Sequence, residues 1–542
     1  MIRRKLLPAI LLIALAVRVW GLGFGLPYAG SRVDEAAIAG PAVQFLSGVL
    51  RPPDFMYPTG FRYAVALVYV AWYGITRPFG TYASLAAFAD SRAQTVAPFF
   101  YLSRSLSALM GTLTVWWVFA ICRRIFDDTV AIVAALFIAL AFVHVRDSHF
   151  GTIDVTMTAL VVLTVLAILR WQQTPGPWRA AVAGLIGGLA TSTKYNAFGV
   201  WVPFLVAVAQ RAIGGRSRVG DGAPCSVRSP LPRTIWAVAI FGAAFALGFF
   251  GSSPYTLLEW RQFVGALAAQ SATLAEGHGL VLSRGWWYHA RITLPAELGW
   301  PLYVVGVAGM GLLLTRCRQA AVVLAFPIAY YLVAGSGYRV FARDMIPMLP
   351  FLCITAAWLT VKVAHAVTGT EHPRARVWAT AMMAFAIVAP SARNVVLLDR
   401  LLTRPDNRVA VANTLPTIIP VNSLVYQSGE SYGRVPFYLS DPPLNIAVSD
   451  YDEATGRFAP DGRFPAWIIL QRSPLVLYSR VPDGVQQIVR ERYELVRRFP
   501  AATDDATRLY DQQDALFLPL AGLSGVERIG PTFEIYRLRE TQ

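Results

Sequence analysis

Apolar runs close to the roughly 18–20 residues that cross a bilayer recur along this chain, separated by short polar turns. They fall at 5–23, 99–121, 129–146, 152–170, 179–193, 196–212, 234–251, 297–315, 319–336, 345–364 and 376–398. The pattern predicts a polytopic α-helical membrane protein with about eleven transmembrane helices. After residue 398 the pattern changes. Short β-like runs such as Ser423-Leu424-Val425-Tyr426 and Ala466-Trp467-Ile468-Ile469-Leu470 flank a helix-like stretch at 484–497. That alternation predicts a small soluble α/β domain over 399–542, following a membrane domain over 1–398. A further segment, 60–79, is nearly apolar enough to be another span. No repeat of fixed period and no low-complexity tract is present.

Charge sets the expected orientation. The chain carries 48 Lys and Arg against 32 Asp and Glu, a formal net charge of +16, yet it is 55% hydrophobic and only 15% charged. The cations cluster in short loops rather than in one nucleic-acid-binding face. Arg3, Arg4 and Lys5 precede the first span, and alternate turns hold Arg123 and Arg124, Arg170 and Arg179, the loop 211–233, Arg316 and Arg318, and Lys362, Arg374 and Arg376. This is the bias of cytoplasmic loops. It predicts a cytoplasmic N-terminus and an external C-terminal domain, and the Ala- and Arg-rich composition suggests a bacterial plasma (inner) membrane. Making 60–79 a span would reverse the sidedness of the turns after it. That Tyr- and Trp-rich segment is therefore read as a helix at the interface, inside one long external loop, 24–98. Arg393, Arg400, Arg404 and Arg408 run against the bias. The four cysteines show no metal-ligand spacing, and no metal is expected.

With this topology the membrane-proximal polar residues collect on the outer face. Asp34 and Glu35 head the external loop. Arg104 lies just inside the start of the second span, the third emerges into His144-Val145-Arg146-Asp147-Ser148-His149, and Asp154 opens the fourth. The fifth ends at Thr193-Lys194, and Arg339, Arg343 and Asp344 follow the ninth. The loop 252–295 adds Glu276-Gly277-His278-Gly279, with His278 as a candidate lid or acceptor contact; a simple turn is its bland explanation. A carboxylate at a membrane is costly and marks a functional site by default, although Asp34 and Glu35 could simply start a helix. Asp154 could cap one, and Arg104 and Arg343 could snorkel. Cations beside carboxylates at headgroup depth suit a lipid-phosphate substrate. The leaving phosphate needs Arg or Lys, and an attacking hydroxyl needs a carboxylate base.

The residues also carry a family resemblance. The Asp34-Glu35 pair leads an external loop with Tyr57-Pro58-Thr59-Gly60. Then comes Arg104-Ser105-Leu106-Ser107-Ala108-Leu109-Met110-Gly111, a span opened by Asp154, Thr193-Lys194 at a span end, and Arg343-Asp344-Met345-Ile346-Pro347. In this order the chain resembles the membrane-embedded GT-C glycosyltransferases of the protein O-mannosyltransferase and aminoarabinose-transferase group. Tyr57-Pro58-Thr59 departs from the His-Pro-Pro or Lys-Pro often found there. The resemblance implies inverting transfer of mannose or a pentose-like sugar from a polyprenyl-phosphate donor to a lipid, glycan or protein hydroxyl. Asp34 would be the base with Glu35 supporting it, Arg104, Lys194 and Arg343 would bind the donor phosphate, and Asp154 would support the site. It leaves a divalent metal open, with absence favoured. The alternative is a transporter or lipid flippase without glycosyl transfer, for which inverted repeats and charges near the midplane would speak.

Overall fold

The computed structural model describes residues 2–213, 231–369, 372–503 and 508–540, so most of the basic loop 211–233 lies outside it. The chain divides into two compact units. One comprises Met1–Val19, Ala37–Gln94 and Pro98–Val396; the other comprises Trp20–Ala36, Thr95–Ala97 and Leu397–Gln542.

The first unit is helical. Each of the eleven expected spans coincides with a helix, but the helices differ in length. Among the described residues, six are long and apolar enough to cross a membrane, or up to eight when each of two sharply bent pairs is one span. Leu6–Val19 and Gln319–Ala334 are shorter apolar helices, and Pro177–Thr191 has 15 residues. The segment read as interfacial forms the helix Thr59–Thr76 and is not among the candidate spans. Its buried face, Phe61, Val65, Ala66 and Tyr69, packs with Ile38, Phe45, Phe88, Phe99 and Ile153.

The two bent pairs have local causes. The run 129–146 breaks into Asp128–Ala139 and Phe142–Ser148, bent by 58°. Lipid cannot hydrogen-bond the backbone groups such a break frees, so protein must. Arg18, fully buried, donates to the carbonyls of Ala139 at 3.1 Å and Ile138 at 3.3 Å, and bonds His144 Nδ1 at 3.0 Å. Ser391 Oγ donates to Leu140 O at 2.9 Å and accepts from Phe142 N–H at 2.9 Å. The second break corrects the expected span 297–315. Gly285–Leu298 folds back on Trp300–Leu314 by 120° at Gly299, whose φ of +79° suits glycine alone.

Helices also meet through small residues. A Cβ added to Gly184 would lie 2.2 Å from Phe241 O, and one on Gly188 would lie 2.2 Å from Phe245 O. The helices Pro177–Thr191 and Leu231–Ser252 therefore touch backbone to backbone, the close approach that small residues four apart allow in membranes.

The second unit contains a six-stranded sheet ordered β3-β2-β1-β4-β6-β5. Its strands are β1 Leu424–Gln427, β2 Ala447–Asp452, β3 Arg457–Ala459, β4 Trp467–Arg472, β5 Tyr493–Phe499 and β6 Thr532–Leu538. β1 runs parallel to β2 and β4, while β6 is antiparallel to β4 and β5. In β4, Trp467 and Ile469 pack with Val411, Leu415, Phe533 and Ile535, whereas Ile468 and Leu470 pack with Val485, Val489 and Tyr493. A strand covered on both faces reads as a continuous apolar run, which is why 467–470 carries no alternation. The helix expected over 484–497 ends earlier, at Arg492. From Tyr493 the chain pairs with β6 instead, a long-range pairing that overrides local helical pattern. Arg408, which ran against the charge bias, is a buried structural residue held by both oxygens of Asp406 at 2.9 and 2.7 Å.

Gly188→Ala should destabilise the protein by about 1–3 kcal/mol through overpacking, seen as a lowered melting temperature in detergent. Gly74→Ala, with open space around its added Cβ, should not lower it.

Candidate functional site

Three segments of the membrane unit converge on Lys194. The helix Pro177–Thr191 closes with Lys194 N–H on Ala190 O. Lys194 then adopts extended backbone ahead of the turn Tyr195–Val200, which frees its side chain from the helix surface. Asp154 stands in the first turn of Ile153–Gln173, where a helix N-terminus favours negative charge. Asp344 lies in the 3-10 turn Ala342–Met348. Lys194 Nζ donates to Asp154 Oδ1 and Asp344 Oδ1, both at 2.7 Å. Arg339 Nε is 3.4 Å from Asp344 Oδ2, and its Nη1 donates to Gln270 Oε1 at 2.8 Å. Tyr330 OH donates to Asp344 O at 2.7 Å.

The cluster is nearly closed to solvent. Side-chain exposures are 14% for Lys194, 4% for Asp154 and 7% for Asp344. Burial disfavours the Lys194 ammonium, but the two carboxylates outweigh it and hold its pKa above the ordinary lysine range. Lys194 thus stays charged, and both carboxylates serve to orient it. An ammonium has three donors; two are spent on Asp154 and Asp344, and the third has no protein partner among the described residues.

Arg343 adds a third cation. Its guanidinium lies 4.1 Å from the Phe341 ring centre, and its charge acts favourably on Asp154 and Asp344. His278 packs on the same Phe341 ring, with centroids 5.1 Å apart. Lys194, Arg339 and Arg343 thus gather around the carboxylates of Asp154 and Asp344. Arg104 is buried and stacks 5.4 Å from Phe100. Its helix neighbours Ser103 and Ser107 meet Gly151 and Thr152, just ahead of Asp154.

The expected residues Asp154, Lys194 and Arg343 thus come together, and Phe341 links His278 to them. Sequence reasoning did not assign roles to Asp344 or Arg339. Their only signal was adjacency to Arg343, and nothing in the spacing says that Lys194 would face them. Asp34 and Glu35 belong to the second unit. They occupy the first turn of the helix Val33–Leu46. Glu35 is fully buried, while the Asp34 side chain is 25% exposed and lies 3.3 Å from Arg32 Nη2. Among the described residues no three His, Cys, Asp or Glu side chains are grouped as a metal site.

Comparison with known proteins bears on the fold. A family model described as dolichyl-phosphate-mannose-protein mannosyltransferase matches residues 102–219. No curated protein matches the chain. Among solved structures, ArnT from Cupriavidus metallidurans bound to undecaprenyl phosphate aligns at 14% identity over 98% of this chain and 97% of its own, with a TM-score of 0.53. The same enzyme in the apo state gives a TM-score of 0.51. The apo oligosaccharyltransferase of Archaeoglobus fulgidus aligns at 13% identity over 77% of this chain, with a TM-score of 0.49. This chain spans 58% of that oligosaccharyltransferase's length.

Lys194→Met would leave two buried carboxylates without their shared cation. It should cost about 3–5 kcal/mol, measured as a loss of thermal stability. Combining it with Asp154→Asn and Asp344→Asn should recover most of that loss.

Proposed function

We propose a function for a chain that has the fold of the membrane-embedded GT-C glycosyltransferases: transfer of a sugar from a polyprenyl-phosphate donor to a hydroxyl acceptor, with inversion at the anomeric carbon. The observation that carries this reading is the buried cluster of cations around Lys194, whose ammonium spends two of its three donors on Asp154 and Asp344. Such a preorganised cation set at a membrane suits a lipid phosphate. Preorganised cations of this kind stabilise charge that develops on a leaving phosphate. Lys194, Arg339 and Arg343 would hold the donor phosphate, with Arg104 as a further cation from its own helix. Asp154 and Asp344 would orient Lys194, and His278 would face the acceptor.

In the reaction so assigned, Asp34 takes the proton of the acceptor hydroxyl. The hydroxyl oxygen attacks the anomeric carbon, the bond from that carbon to the phosphate oxygen breaks, and the electron pair leaves with the phosphate. The products are a glycoside of inverted configuration and free polyprenyl phosphate. Glu35, fully buried beside Asp34 in sequence, supports the base. The donor sugar is mannose or a pentose, the acceptor a lipid, glycan or protein hydroxyl, and the external face of the plasma membrane is where the lipid-linked donor meets it.

The test uses purified full-length protein with undecaprenyl-phosphate mannose and undecaprenyl-phosphate aminoarabinose, following release of undecaprenyl phosphate and formation of glycoside. Asp34→Asn should lower kcat by about 10²–10⁴-fold, the usual contribution of a general base, with donor KM little changed. Arg343→Met should chiefly raise donor KM. Parental turnover in Asp34→Asn would remove the base assignment. Movement of either lipid across vesicles without glycoside formation would favour transport instead.

A further inference from the structure

The second unit contains a buried ionic chain that ends at the acidic pair. Arg32, two residues ahead of Asp34, is 1% exposed. Its Nη1 donates to Asp514 Oδ1 at 2.6 Å, and its Nη2 lies 3.3 Å from Asp34 Oδ2. Side-chain exposure is 6% at Asp514 and 1% at Arg32, against 25% at Asp34, so Asp34 is the exposed member. A guanidinium hydrogen-bonded to one carboxylate and ion-paired with a second couples their positions through its rigid plane. Buried ion pairs add little net stability compared with apolar packing, so geometry is what this arrangement provides.

Asp514 is itself anchored on the sheet. Its N–H donates to Asp511 O at 3.1 Å, and the neighbouring Gln513 carbonyl accepts from Tyr478 OH at 2.7 Å. The Tyr478 carbonyl accepts from Glu430 N–H at 2.9 Å and from the Gln471 side-chain amide. Tyr478, Leu475, Tyr510 and Phe517 share a small apolar cluster that fixes the loop carrying Asp514. Glu430 follows β1, and Gln471 lies near the end of β4. These are adjacent parallel strands whose onward connections leave toward opposite sides of the sheet. The carboxyl ends of strands at such a switch point are where α/β sheets place functional groups.

We propose that Asp514 is a positioning residue: it holds Arg32, and through Arg32 sets the Asp34 carboxylate in the orientation a base requires. The α/β unit then contributes to the reaction through this chain. The inference rests on the assignment of Asp34 as base.

The experiment compares full-length Asp514→Asn, Asp514→Glu, Arg32→Lys, Asp34→Asn and the Asp34→Asn/Asp514→Asn double variant, with undecaprenyl-phosphate mannose in detergent micelles and thermal unfolding measured alongside. Asp514→Asn should lower kcat by about 10- to 100-fold, the scale of a small misplacement of a reacting group. Donor KM should change less than about twofold and melting temperature little, since a buried hydrogen-bonding group is retained. Asp514→Glu should restore most of the turnover, and the double variant should be no slower than Asp34→Asn alone. Arg32→Lys, which keeps the charge and loses the fork, should fall between Asp514→Asn and the parent. Additive losses in the double variant, a kcat loss that tracks unfolding, or parental kcat in Asp514→Asn beside an inactive Asp34→Asn would overturn the positioning role alone. Parental kcat in Asp34→Asn would overturn the base assignment and the positioning role together.

Discussion

In a bilayer every charge and every freed backbone group must find its partner within the protein, because lipid offers none. The membrane unit is organised around that constraint. Where the Asp128–Ala139 helix ends inside the fold, Arg18 and Ser391 supply the missing hydrogen bonds. Lys194, also carried into the interior, is met by two carboxylates from two other segments. The same requirement produces both a repaired helix break and a buried charge cluster. The difference lies in what remains: among the described residues, Lys194 keeps a donor beyond its two carboxylates.

The α/β unit is built differently. Its core is a sheet covered on both faces, and its polar network gathers at the carboxyl ends of β1 and β4. Arg408 with Asp406 and Arg32 with Asp514 are buried pairs there. Such pairs are weak stabilisers but hold geometry well, and the segment Trp20–Ala36, with the acidic pair at its end, belongs to this unit by its contacts. The chain therefore assigns residues from its first forty positions to a body built mostly from its last hundred and fifty.

Much of this was legible from pattern. Helices occur at all eleven apolar runs, and β1 and β4 occur where short apolar runs stood between turn residues. The misreadings have particular causes. The expected span 297–315 begins across a fold-back that only the positive φ of Gly299 explains. The residues 493–497 carry a helical pattern but pair with β6. Arg408 counts as a topology signal in sequence and as a buried ion pair in structure. Among the site residues, Asp154, Lys194 and Arg343 stood out as charges at span ends, while Asp344 and Arg339 stood out only as their neighbours.

By itself, the sequence determined the helical membrane class, the positions of the apolar helices and the presence of a distinct α/β region. These follow from hydrophobic length and periodicity, which are local and additive along the chain. Only the tertiary structure decided which charges meet. Lys194 and Asp344 are 150 residues apart, Arg32 and Asp514 are 482 apart, and no periodicity reaches that far. Partner choice between distant charges is set by how the helices and sheet pack, because a buried charge accepts whatever opposite charge the packing brings within hydrogen-bond distance.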